Sequence, residues 1–196
     1  MPRATSLLYL HGFLSSPQSK KARLTSDYRE KTNCVSRMIL PTLHWGPAAA
    51  IAQLHAIVKA AGDENIVLIG SSLGGYYATY LADYYGLPAA LINPAVQPFD
   101  TWEKYLGEHK SYYSDEVHTV TRQHISELEE LHIARLKQPE NILLLAETDD
   151  ETLDYRKAVK KYSFSPQLIR IGGSHSYENF AVDLPVIFDF LLSRIP

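Results

Sequence analysis

Short apolar runs alternate with longer amphipathic stretches along the chain. Six of these runs have the length and aliphatic content of buried strands, and they cover residues 6–10, 35–40, 65–70, 89–93, 141–147 and 167–171. Helical periodicity lies between them, at residues 47–61, 74–85, 152–162 and 184–192. This alternation predicts an α/β fold with a mostly parallel sheet flanked by helices.

The connection between Pro94 and Pro139 is longer than one crossover helix requires. It contains two helical patterns, at residues 102–109 and 117–137, and the second places apolar side chains opposite glutamates. We therefore expect a small helical insertion, or cap, over one edge of the sheet. A plain surface crossover is the alternative. The length of 196 residues predicts a single domain, 1–196.

Composition narrows the function classes. Hydrophobic residues make up 45% and charged residues 21%, and the net charge of −3 provides no basic field for nucleic acid or an anionic membrane. Cys34 is the only cysteine, which excludes an internal disulfide and a cysteine-rich zinc site. The histidines lack metal-ligand spacing, so we expect no metal and no cofactor. No apolar run reaches the ~20 residues of a membrane span, and the N-terminus lacks a signal-peptide pattern, so we expect a cytoplasmic protein.

The segment GSSLG at residues 70–74 carries the strongest chemical signal. It matches G-x-S-x-G and stands between the predicted strand 65–70 and the predicted helix 74–85. A nucleophile elbow places its serine, here Ser72, at such a strand-to-helix turn. The spacing fits neither a dinucleotide fingerprint nor a phosphate-binding loop. A glycine-rich turn with a capping serine is the structural alternative.

A serine hydroxyl is inert at neutral pH, so an elbow predicts an acid and then a histidine farther along the chain. Asp149 and Asp150 follow the predicted strand 141–147, and His175 follows the predicted strand 167–171. Both segments lie past the carboxyl end of a strand, where parallel sheets place functional residues. A surface-loop histidine is the alternative for His175. Successive side chains point to opposite sides, so only one aspartate should face it.

Acyl transfer also requires N–H donors for the developing oxyanion. Leu73, directly after the serine, is the first candidate. Phe13, in the turn after the strand 6–10, is the second. His11 in the same turn is expected to fasten this loop rather than to act as a second base.

Five segments resemble the YqiA-type esterases, a small branch of the α/β-hydrolase fold: LLYLHGFLSSPQSKK, LIGSSLGGYYATYLA, LINPAVQPF, TDDETLDYRKAV and IGGSHSYENF. The resemblance implies a cytoplasmic serine hydrolase acting on acyl esters, with acyl-CoA thioesters as a further candidate. On these motifs Ser72 takes the nucleophile position, Asp150 the acid position and His175 the base position. Asp149 departs from the pattern, since a glycine commonly precedes the acid. Trp45 is the second departure.

Three aromatic residues are candidate substrate contacts. Trp102 and Tyr105 form either the core of the insertion or the wall of an acyl pocket. Tyr76 either packs its helix against the sheet or touches the substrate.

The sequence thus predicts a carboxylic-ester hydrolase that acts through a Ser-Asp-His triad and an acyl-enzyme on a small-molecule ester or thioester. A catalytically silent binding protein of this fold is one alternative. A peptidase or C–C hydrolase with the same triad is another.

Overall fold

The computed structural model describes residues 3–195. Within them the strands are β1 (Thr5–Leu10), β2 (Arg37–Ile39), β3 (Asn65–Ser71), β4 (Ala89–Ile92), β5 (Gly107–Lys110), β6 (Val117–Val120), β7 (Ile142–Glu147) and β8 (Gln167–Arg170). Six of these strands form a parallel sheet in the order β2-β1-β3-β4-β7-β8, and β5 and β6 pair separately as an antiparallel hairpin. The six predicted strands and the parallel sheet are confirmed.

Helices cover both faces of the sheet. They are α1 (Lys20–Thr32), α2 (Pro47–Ala60), α3 (Leu73–Tyr85), α4 (Arg122–Glu130), α5 (Tyr155–Lys161) and α6 (Phe180–Leu192). Apolar side chains of α1 and α6 pack against one face, and those of α2 to α5 pack against the other. Over residues 3–195, no helix combines the length and the apolar character that a membrane crossing requires.

Strand β1 illustrates why the sheet is buried on both faces. All its residues are buried, and their side chains alternate between the two cores. Leu8 and Leu10 belong to the core under α2 and α3, whereas Leu7 and Tyr9 belong to the core under α1 and α6. Because the strands run parallel, the loops that follow their carboxyl ends meet at one edge of the sheet.

The hydrophobic pattern does not reveal α1. Ala22 and Thr25 are its buried residues, and the rest of the sequence KKARLTSDYREKT is mostly charged or polar. Its ends are well defined, because the Ser19 side chain accepts a hydrogen bond from the Ala22 N–H and Asn33 caps the helix in the left-handed conformation.

An insertion is present between β4 and β7, but the two predicted helices within it are wrong in detail. Residues 102–109 form a 3₁₀ turn followed by β5, and residues 117–137 form β6, α4 and irregular chain. Gly107 lies opposite Val120 in the hairpin. The error has a physical cause: each hairpin strand has only four residues, and its partner rather than its own sequence period fixes its conformation.

Side chains near the carboxyl edge connect α6 to the sheet. Arg170 at the end of β8 forms an ion pair with the buried Asp183 of α6. The Tyr177 hydroxyl donates to the same carboxylate at 2.8 Å. The helix, the last strand and the loop between them therefore share one buried acceptor.

Candidate active site

Ser72 occupies a strained turn between β3 and α3. Its φ of 55° and ψ of −120° lie outside the regions that side-chain-bearing residues prefer, at a cost of roughly 1–3 kcal/mol. The Ser72 N–H donates to the Ile92 carbonyl at 3.0 Å, and the Ser72 carbonyl accepts from the N–H groups of Gly75 and Ala95. Strand β4, the chain after it and α3 therefore hold the turn.

Close backbone approach explains the glycines of the motif. A Cβ on Gly74 would collide with the Leu10 carbonyl oxygen, so only glycine allows the end of β1 to reach the start of α3. A Cβ on Gly12 would lie 3.2 Å from the Ser72 Cβ. The turn after β1 therefore passes directly beside the Ser72 side chain.

The structure brings Ser72, His175 and Asp150 into one hydrogen-bonded chain. His175 Nε2 lies 3.0 Å from Ser72 Oγ, and His175 Nδ1 lies 2.8 Å from Asp150 Oδ2. In the neutral ring Nδ1 carries the proton because it faces a carboxylate, which leaves the Nε2 lone pair to accept the Ser72 hydroxyl. This arrangement can deprotonate a serine hydroxyl.

The two neighbouring aspartates differ in environment. The Asp150 side chain is 2% exposed, and its Oδ1 accepts from the N–H groups of Thr152 and Leu153 at 2.9 and 2.8 Å. Asp149 is exposed and accepts from the neighbouring Thr148 hydroxyl. Asp150 alone of the pair contacts His175, and the two aspartates lie in a turn after β7 rather than in the extended chain that the alternation argument assumes.

A buried carboxylate that the sequence pattern did not identify organises the loop carrying His175. Glu147, at the end of β7, is 0% exposed and accepts from the N–H groups of Ser174, Glu178 and Asn179 at 2.8–3.0 Å, and from the Asn179 side chain at 2.8 Å. Burial alone would raise the pKa of Glu147, but the hydrogen bonds from Asn179, Ser174 and Glu178 outweigh burial and lower it. Gly173 (φ 79°) lets the loop pass the carboxylate, where a Cβ would collide.

Asn93, after β4, completes the support of this loop. Its Nδ2 donates to the carbonyls of Ser174 and His175 at 2.9 and 3.2 Å, and its Oδ1 accepts from the Glu147 N–H at 3.0 Å. The available sequence signal for both residues was a polar side chain at the carboxyl end of a fully apolar strand.

The turn after β1 is fixed by His11. His11 Nε2 accepts from the Leu43 N–H at 3.1 Å, and Nδ1 donates to the Gly12 carbonyl at 2.9 Å. Burial lowers the pKa of His11, although the bond to Gly12 opposes the shift, so the ring is neutral and fastens the turn as expected. The N–H groups of Phe13 and Leu73 have no protein acceptor within residues 3–195.

The three expected substrate contacts lie elsewhere. Trp102 is 5% exposed, and its ring and that of Tyr105 pack on Phe13 with centroid distances of 4.9 and 5.8 Å. The Tyr76 hydroxyl donates to the Leu128 carbonyl at 2.7 Å, which attaches α4 to α3. None of the three lies among the described residues that line the two cavities flanking the turn at residues 11–13. Their observed partners are thus core groups and the Phe13 ring.

Two cavities flank the turn at residues 11–13. The larger, about 540 Å³, lies between this turn, residues 42–45 and the hairpin tip, and its wall includes Leu43, Trp45, Leu73 and Tyr77. The Trp45 ring stacks on His118 of β6 at 5.4 Å. Trp45, which departs from the family pattern, thus forms part of the wall of the larger cavity.

The smaller cavity, about 310 Å³, contains Ser72 and His175 together with Lys20 and Lys21. Lys21 Nζ donates to the Ser176 carbonyl at 2.9 Å. Burial lowers the pKa of Lys21 to about 8, against the opposing charges of Glu147 and Asp150. The hydrophobic pattern gave no sign of this contact, because the pattern missed α1 itself.

Residues 6–192 match the uncharacterised protein family UPF0227. The chain belongs to this family. It is the YqiA-like group whose motifs are present in the sequence.

Solved structures show the same fold. Est1E from Butyrivibrio proteoclasticus is 12% identical, with a TM-score of 0.72 over 98% of this chain and 88% of that one. Mouse alpha/beta hydrolase domain-containing protein 10 is 15% identical, with a TM-score of 0.74 over 97% and 90%. The monoacylglycerol lipase of Paleococcus ferrophilus is 15% identical, with a TM-score of 0.66 over 98% and 97%. The fold is therefore that of the α/β-hydrolases, as the motifs implied.

Replacing Glu147 with glutamine should destabilise the protein, because an amide N–H₂ would face backbone donors that now bind a carboxylate. We expect a loss of about 2–4 kcal/mol in the free energy of unfolding, measured by urea denaturation at pH 7. The exposed Glu140→Gln, on the chain leading into β7, is the control and should change stability by less than about 0.5 kcal/mol.

The native protein and Glu147→Gln should also differ in how their free energy of unfolding depends on pH. Because the pKa of Glu147 is lowered in the folded state, its contribution is complete above the pKa of an unfolded glutamate and disappears as the pH falls through the folded pKa. The stability difference between the native protein and Glu147→Gln should therefore shrink on acidification below about pH 4.5. A difference that stays constant down to pH 3 would contradict this role.

Proposed function

We propose that this protein is a serine hydrolase of carboxylic esters. Neutral His175 takes the Ser72 proton at Nε2 while Ser72 Oγ attacks the acyl carbonyl. The resulting imidazolium is stabilised by Asp150 and protonates the leaving alcohol or thiol. Water then enters, His175 removes its proton, and the acyl-enzyme is hydrolysed.

The N–H groups of Phe13 and Leu73 are the proposed oxyanion donors. Neither has a protein acceptor among the residues that the structure describes, and both belong to segments that border Ser72. Leu73 also begins α3, so the positive end of the helix dipole lies where negative charge develops. Trp102 and Tyr105 then act indirectly, by holding the Phe13 ring and hence its N–H.

The observation that carries this proposal is the hydrogen-bonded chain from Asp150 through His175 to Ser72. A structural serine turn needs neither a histidine 3.0 Å from the hydroxyl nor a sheltered carboxylate behind that histidine. The strained φ of Ser72 is a second support, because such strain concentrates at functional sites.

The two cavities support separate binding places for the two parts of the substrate. We assign the acyl chain to the larger cavity, whose wall includes Leu43, Trp45 and Leu73, and the leaving group to the smaller cavity. Lys20 and Lys21 border the smaller cavity, so a leaving group that carries phosphate would be favoured there. This charge supports an acyl-CoA thioester as a substrate beside simple esters.

The two aspartates provide the test of the proposed triad. Asparagine at position 150 would orient His175 in the wrong tautomer, so Asp150→Asn should lower kcat on a short p-nitrophenyl ester by about 10²–10⁴. Asp149→Asn is the matched control and should lower kcat by less than about tenfold. A large loss in the Asp149 variant with little loss at position 150 would refute the assignment.

Two tryptophans test the assignment of the acyl cavity. Trp45→Ala should enlarge the cavity and shift the ratio of kcat/KM between octanoyl and acetyl esters in favour of the longer chain, by roughly tenfold. Trp102→Ala should instead lower kcat by a similar factor for both esters, because it loosens Phe13. If Trp102→Ala alters the ratio of kcat/KM between octanoyl and acetyl esters and Trp45→Ala does not, the assignment of the acyl chain to the larger cavity is wrong.

A further inference from the structure

A third cavity lies away from the proposed catalytic site. It measures about 1090 Å³ and shares no lining residue with the two cavities that flank the turn at residues 11–13. Its walls come from residues 132–139 of the insertion, from α5 and from the turn at residues 163–165. The volume is slightly above the ~300–1,000 Å³ common for small-molecule sites.

The lining of this cavity is strongly cationic although the chain has a net charge of −3. Among residues 3–195, five cationic residues and no carboxylate line it: Arg135, Lys137, Lys157, Lys160 and Lys161. Two of the five already have partners within the protein. Lys137 forms an ion pair with Asp83 at 3.0 Å, and Lys161 donates to the Ile133 and Ala134 carbonyls. The other three have no carboxylate within 4.0 Å among residues 3–195.

The end of a helix accounts for only two of these five charges. Cations are common in the last turn of a helix, and this explains Lys160 and Lys161 at the end of α5. Lys157 lies nearer the start of α5, and Arg135 belongs to the insertion. Cations from separate segments therefore line one concave surface.

An aromatic side chain stands beside these cations. Phe164 belongs to the turn at residues 163–165 that lines the cavity. Its side chain is 85% exposed, an unusual position for a phenyl ring.

From these features we infer that the cavity binds a phosphorylated small molecule with a planar heteroaromatic group, the chemistry of a nucleoside polyphosphate. The phosphates contact Arg135, Lys157 and Lys160. The heteroaromatic ring stacks on Phe164. This inference is independent of the proposed esterase activity.

Isothermal titration with ATP tests the site on the intact protein. ATP should bind with one-to-one stoichiometry, and the affinity should fall as NaCl is raised. The triple variant Arg135→Gln, Lys157→Gln and Lys160→Gln should weaken binding at least about tenfold. The control changes Arg23, Lys31 and Lys59 to glutamine, three exposed residues outside this cavity, and should bind normally.

A further variant separates the parts of the ligand. Phe164→Ala should weaken ATP about fivefold or more and leave tripolyphosphate binding unchanged.

Three results would overturn the inference. The first is the absence of ATP and tripolyphosphate binding at millimolar concentration. The second is an equal loss of binding in both triple variants, which would indicate a non-specific effect of charge. The third is binding of a DNA oligonucleotide without binding of ATP, which would make the cavity part of a nucleic-acid surface.

Discussion

The buried carboxylate of Glu147 is the interaction on which the geometry of the site depends. It receives hydrogen bonds from the backbone N–H groups of Ser174, Glu178 and Asn179 after β8, and its own N–H donates to Asn93 after β4. Asp150 follows Glu147 by three residues, so one carboxylate relates the acid to the loop carrying His175. A buried charge of this kind is tolerated only because every donor around it is satisfied. These hydrogen bonds attach the loop carrying His175 to the end of β7.

The turn at Ser72 is held by backbone contacts, in contrast to the loop carrying His175, which is held by the charged Glu147 side chain. Ser72 keeps an unfavourable φ because β4, the chain after it and α3 bond to its peptide groups, and because Gly74 lets the end of β1 approach. The turn after β1 is fixed separately, by the neutral His11 ring and by packing of Phe13 on Trp102. Hydrophobic packing thus holds the sheet and helices together, while hydrogen bonds at the carboxyl edge position the side chains of the site.

The sequence predicted most of the sheet and the positions of Ser72 and His175 from local signals: apolar runs, a glycine-flanked serine and polar residues just after strands. The same signals placed an aspartate at position 149 or 150, and the resemblance to the YqiA-type esterases favoured Asp150. It did not predict α1, whose few buried residues leave no periodic signal. It also misassigned the hairpin, where pairing between Gly107 and Val120 overrides short local patterns. The roles of Glu147 and Trp102 depend on contacts between distant segments, such as Trp102 with Phe13, and no spacing in the chain encodes them.

Labelling with a fluorophosphonate, followed by peptide mass spectrometry, tests the central claim most directly. The reagent phosphonylates only a serine that a neighbouring base activates, so the native protein should carry one label, on Ser72. Ser72→Ala should fold normally, as judged by its thermal unfolding, and remain unlabelled. Absence of label on the folded native protein, or a label on the buried neighbour Ser71, would contradict the account.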